Sequence, residues 1–222
     1  MSEFRRRLMM QSGKGYEIID HILTNGLAYI DTGYYPNTAT EVEIHCMAKK
    51  NNVSETTVSG LGNILFGAYE GDYAYTCNHS EGAAGSGDYY QARTFYFWTN
   101  KTYGSGASIA RLAAAYNYDV PYYMGTRFDS LGNLIGYCND KVVTTATPTR
   151  ALNKTMYLLA INKDTPPIPY NRTDMTFYHF KISERGTLIK HFVPAKQGNI
   201  YGMADIIEGK FYASPNGESF DY

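Results

Sequence analysis

The residues best suited to chemistry lie in one short run, Glu41-Val-Glu43-Ile-His45. In a strand, alternate side chains share a face, so both carboxylates and the imidazole would stand in a row. Glycoside hydrolysis needs such a row: an acid and a base or nucleophile ~5–5.5 Å apart for retention, or ~6.5–9.5 Å for inversion. A polar outer face on a half-buried strand produces the same run without any chemistry. The five histidines (His21, His45, His79, His179 and His191) have no i,i+2 or i,i+4 pairing, and no serine stands in a Gly-x-Ser-x-Gly elbow. Metal-dependent and triad chemistry are therefore not indicated, and no cofactor or metal is expected.

Asp31-Thr32-Gly33 follows the apolar Ala28-Tyr29-Ile30. Two such aspartates sharing one proton do acid-protease chemistry, because two like charges a few ångströms apart cannot both ionise. The chain has a single copy, and the bulky Tyr34 follows it. A turn-capping aspartate at a strand end is the simpler role. The glycines of Gly82 to Gly87 lack the Lys-Ser/Thr of a phosphate loop, and Cys46, Cys77 and Cys138 have neither the even number nor the spacing of a disulfide framework or zinc site.

These residues must be held by strands. Tyr16 to Leu23 and Leu27 to Thr32 flank Asn25-Gly26, a pair suited to a hairpin turn. Glu41 to Ala48 alternates, with Val42, Ile44, Cys46 and Ala48 on one face. Ile64 to Tyr69 and Arg93 to Trp98 read as strands around a long loop, Gly71 to Asp88. Alanines behind Ser108 allow one short helix or irregular chain over 108–116. Pro121 to Phe128, Asn133 to Cys138 and Lys141 to Thr145 form a three-strand meander, and Met156 to Asn162 suits a strand covered on both faces. Lys163 to Thr173, with three prolines, reads as a crossing loop. The end of the chain pairs two runs across Glu184-Arg185-Gly186 and two more across Glu208-Gly209. Simple alternation there puts Tyr178, Phe180 and Ile182 on one face, with Phe180, Ile182, Leu188 and Phe192 buried and His179 and Lys181 outward.

About a dozen short strands with a turn every 8–12 residues is the pattern of an all-β sandwich. A chain of 222 residues suits one such domain over 16–222, preceded by a short basic arm over 1–15. Net charge is −1 with no basic stripe, which argues against nucleic acid as partner. No stretch is apolar enough to span a membrane, and the arm's apolar Leu8 to Met10 is too short for an export signal. Five Asn-x-Ser/Thr triplets read as chance.

The two ends also resemble a known family. Tyr29-Ile-Asp-Thr-Gly33 with Pro36-Asn37, and the closing order of Lys181-Ile182, Phe192-Val-Pro194, Tyr201-Gly202 and Gly209-Lys-Phe-Tyr212, are similar to concanavalin A-like (laminin-G-like) jelly-roll domains of phage and gut-bacterial surface proteins. The middle of the chain shares only general character with them. The resemblance implies a jelly roll and, from the phage members, a non-catalytic bacteriophage virion protein made in the host cytoplasm, either on the head or on the tail. Alternatives are a glycan-binding lectin module for host attachment and a glycoside hydrolase; the glucanase pattern Glu-x-Asp-x-x-Glu, however, is absent here.

Partner contacts are expected at two places. The arm Phe4-Arg5-Arg6-Arg7-Leu8-Met9-Met10 joins three guanidinium groups to an apolar plug, fit to dock on other virion proteins or on a second copy in a homo-oligomer. Tyrosine contributes 22 residues while charged types make up only 18% of the chain, below the ~25% of ordinary domains. Tyr73, Tyr75, Tyr89 and Tyr90, in or beside the long loop, are the expected contacts for a partner or host glycan.

Overall fold

The computed structural model describes residues 15–24, 26–49, 63–71, 73–80, 94–99, 109–111, 117–145, 147–162 and 175–222. Among them are sixteen strands and no helix. The larger sheet runs in spatial order β11 (Lys141–Thr144), β10 (Leu134–Cys138), β9 (Pro121–Phe128), β4 (Thr40–Ala48), β13 (Met175–Glu184), β14 (Thr187–Gln197), β15 (Ile200–Asp205) and β16 (Lys210–Tyr212). Two short strands join it, β1 (Glu17–Ile18) on β14 and β2 (Ile22–Leu23) on β13. The smaller sheet runs β3 (Ile30–Asp31), β12 (Tyr157–Leu158), β5 (Asn63–Glu70), β6 (Tyr73–Ser80), β7 (Thr94–Trp98) and β8 (Ile109–Arg111).

The sheets pack face to face through the alternating apolar positions. Val42, Ile44, Cys46 and Ala48 point inward from β4, while Phe66 from β5, Tyr75 and Cys77 from β6, and Phe95 and Phe97 from β7 meet them. Phe66 and Phe180 approach across the gap with ring centroids 5.5 Å apart. All three cysteines are free and buried in this core. The meander and the C-terminal hairpins form as the turn signals predict, and Met156 and Leu158 to Ile161 are buried while Tyr157 between them is only half-buried. That run is broken as a ladder by Leu159, whose φ is 67°.

Four expectations fail, each for a tertiary reason. Residues 16–32 do not close a hairpin: β1 and β2 pair in the large sheet while β3 pairs with β12 in the small one. The chain crosses between sheets at Gly26, whose positive φ serves a crossing. Residues 73–80 belong to β6, which turns back from β5 at Gly71, so the long loop does not begin there. Residues 109–111 pair with β7 as a strand, displacing the helix at that point.

The fourth failure is the alternation of β13 and β14, which two bulges reset. Phe177 pairs with Cys46 but His179 pairs with His45, so Tyr178 is an extra residue and turns outward beside His179. Ile182 pairs with Lys190 but Ser183 pairs with Leu188, so Ile189 is extra and the parity changes there. Phe180, Ile182 and Phe192 are buried as expected, and Lys190, on the same side as Phe192, is buried with them, whereas Leu188 beyond the bulge is 40% exposed.

Candidate recognition face

Strands β9, β4, β13 and β14 lie side by side, and their outward residues form one polar and aromatic surface. His45 stacks on Tyr123 with centroids 3.9 Å apart and planes 10° apart, and on Tyr178 at 4.5 Å. The row continues through His179, 5.4 Å from His45, to His191, 5.6 Å further on and edge-on. Cross-strand neighbours on one face stand close enough for such contacts. The bulge at Tyr178 adds a ring that strict alternation would have buried.

A charged group anchors the row. Glu43 Oε1 accepts from Lys181 Nζ at 2.5 Å and lies 3.1 Å from His179 Nε2. Opposite Glu43, Gly125 lets β4 and β9 come together: a Cβ there would fall 1.8 Å from the Val42 carbonyl oxygen. On the next strand Tyr137 follows Gly125 in register, with the Arg127 guanidinium 5.0 Å from its ring centre.

The electrostatics are set by burial and by Glu43. The bond to His179 is the largest cause holding Glu43 at about 2, with Lys181 adding to it against the opposing effect of burial. Burial lowers both His45 and His191 to about 4, with the field of His179 acting in the same direction. The Nε2 atoms of both rings are enclosed without a hydrogen-bond partner, which fits neutral imidazoles.

These shifts predict how stability responds to acid. His45 and His191 have folded-state values below the ordinary 6.5, so the unfolded chain binds more protons and stability falls as pH drops from about 6.5 toward 4. Glu43 is depressed as well, and its contribution, present above its ordinary 4.5, is lost as pH falls toward about 2. Melting temperature should decline in two successive stages. A His191→Asn, His45→Gln double variant should lose most of the upper stage, and an unchanged profile would refute buried neutral imidazoles.

The sequence-predicted site residues scatter. Glu41 is 9% exposed and both its oxygens are engaged by backbone, one accepting from Phe128 N at 2.8 Å and the other from Gly186 N. Glu43 is held ionised at about 2, which removes it as a proton donor at neutral pH. Asp31 caps its own turn, accepting from Gly33 N at 2.9 Å, and the Thr32 hydroxyl donates to Met156 O at 2.6 Å.

Of the expected contact tyrosines, Tyr75 is a core residue, 1% exposed, with its hydroxyl on Thr40 O at 2.9 Å and 2.5 Å from the Thr126 hydroxyl. Tyr73 lies beside a shallow cleft shared with Asn37 and Leu152, under the Arg150 guanidinium at 4.0 Å. Tyr89, Tyr90 and the arm from Phe4 to Met10 lie outside the described residues. Among the described residues, no three His, Cys, Asp or Glu side chains are placed to hold a metal ion.

No family model, curated protein or solved structure matches this chain. The outer face of the large sheet is the candidate site. Residue types alone did not single it out, but one signal was available: Glu43, His45, His179 and Lys181 all fall on outward positions.

Proposed function

We propose that this chain is a non-catalytic recognition domain on the surface of a bacteriophage particle, a concanavalin A-like jelly roll that binds host-surface glycan through the outer face of its large sheet. The stack Tyr123–His45–Tyr178 carries this reading. It joins flat rings to a nearby set of polar groups, Glu43, Lys181 and His179, and sugars require both: a surface for the apolar face of the ring and donors and acceptors for its hydroxyls. Tyr123, at the end of the stack, is 48% exposed. The roles of Glu41 and Glu43 support the absence of catalysis, since one caps backbone and the other is locked in an ion pair. The virion placement and the tethering role of the basic arm rest on the resemblance of the two chain ends.

Two measurements test the reading. Purified phage particles analysed by mass spectrometry should contain the chain, and particles that lack it would remove the virion assignment. On a glycan array the protein should bind, and Tyr123→Ala should weaken binding about two- to tenfold, the equivalent of ~0.5–1.5 kcal/mol of ring stacking. An array without signal at high protein concentration, or a Tyr123→Ala protein that binds as wild type does, would refute recognition by this face.

A further inference from the structure

Behind β14 and β15, an amine and a carboxyl group meet where water is nearly excluded. Lys190 is 8% exposed and Asp205 is fully buried. The Lys190 Nζ lies 3.4 Å from Asp205 Oδ2. The other oxygen, Oδ1, accepts from two backbone amides, His191 N at 3.1 Å and Ile207 N at 3.0 Å. Oδ2 has no hydrogen-bond partner. A second carboxylate, Glu208, touches Lys190 Nζ and is itself held by the Tyr212 hydroxyl at 2.8 Å. Tyr212 and Phe192 close the site with edge-on rings 5.3 Å apart.

A simple buried ion pair would use these residues differently. Enclosed charges cost more to desolvate than their attraction returns unless every remaining lone pair is satisfied, and here Oδ2 is not. The arrangement contains what amide formation needs: a nucleophile beside the carboxyl group, two donors at the oxygen where negative charge gathers, and a proton carrier. Glu208 is 44% exposed on its side chain and can exchange protons with solvent.

We propose that Lys190 and Asp205 form an intramolecular amide, with Glu208 as the proton carrier. Lys190 passes one proton to Glu208, which returns it to the site on Asp205 Oδ2. The neutral amine nitrogen then attacks Cγ, and the tetrahedral oxyanion on Oδ1 is held by the His191 and Ile207 amides. Glu208 takes a second proton from the now-cationic nitrogen and gives it to Oδ2, and the C–Oδ2 bond breaks as the oxyanion re-forms the carbonyl and Oδ2 leaves as water. Ammonium plus carboxylate thus become amide plus water, and nothing else is consumed. The carboxylates also set the starting state: burial opposes the charge on Lys190, but Glu208, Tyr212 and Asp205 outweigh it and raise its pKa. The first proton transfer is therefore uphill, and the rate depends on Glu208. The product fastens β14 to β15, removes two charges from the interior and suits a protein exposed outside a cell.

Intact-mass spectrometry of the purified full-length protein, unfolded before measurement, tests this directly. The wild-type chain should weigh one water less than its sequence, and trypsin should leave the peptides holding Lys190 and Asp205 joined. Glu208→Gln should form the link about 10²–10⁴-fold more slowly, the usual effect of losing a general acid–base group, and so should be recovered at full mass when prepared identically. Lys190→Arg should never lose the water. A wild-type protein that keeps its full mass after prolonged incubation, with trypsin cutting after Lys190, overturns the proposal. So does a water loss that maps to any other pair of residues, or a Glu208→Gln protein linked as quickly as wild type.

Discussion

Replacing Phe180 with alanine is expected to destabilise the domain by ~3–5 kcal/mol, the usual range for an aromatic removed from a core that cannot collapse around the gap. Phe180 is fully buried at the centre of β13, flanked in register by Ile44 on β4 and Phe192 on β14. It faces Phe66 of the opposite sheet with centroids 5.5 Å apart. Both sheets are fixed by long ladders on either side, so neither can move far to fill the hole. Urea unfolding of the variant measures the loss. A change within the ~0.5 kcal/mol typical of surface positions would place the ring outside the core.

Glu41→Ala is expected to cost about 2–4 kcal/mol. A hydrogen bond to a charged acceptor contributes ~1.5–3 kcal/mol, and Glu41 serves two backbone donors, the half-buried Phe128 N and Gly186 N in the exposed turn. Those amides belong to the end of β9 and to the turn between β13 and β14, so one carboxylate ties three segments together at that end of the sheet. Glu41→Gln keeps one acceptor oxygen and should fall between wild type and alanine in the same unfolding experiment. An alanine variant as stable as wild type would show that water replaces the carboxylate, and would reopen a chemical role for this residue.

How much of this was legible beforehand depended on the range of the signal. The meander from Pro121 to Thr144 and the hairpins after Met175 were readable because turn chemistry and alternation are local. The inward face of β4 was readable for the same reason. Tyr75 misled because a tyrosine beside glycines resembles a loop residue, yet its hydroxyl finds Thr40 and Thr126 from another sheet, a partnership that no neighbour in sequence reveals. The Asn25-Gly26 pair misled in the opposite way. Gly26 takes a positive φ, but the flanking segments find better edges in different sheets than in each other.

By itself, then, the sequence determined an all-β chain, the order of its hairpins and the apolar faces that must meet, because these follow from period-two patterning and from the few residues that tolerate tight turns. The tertiary structure decided which outward residues meet. His45, Tyr123, Tyr178, His179 and His191 come from four strands, and the Tyr178 bulge, which arises in the pairing of β13 with β4, brings the extra ring to that face. Likewise Leu188, which alternation from Phe192 would bury beside Lys190, is turned outward because the bulge at Ile189 shifts the register by one residue. A one-residue slip exchanges the two faces of a strand, and its cost depends on what every neighbouring strand already buries, so it is a property of the assembled sheet.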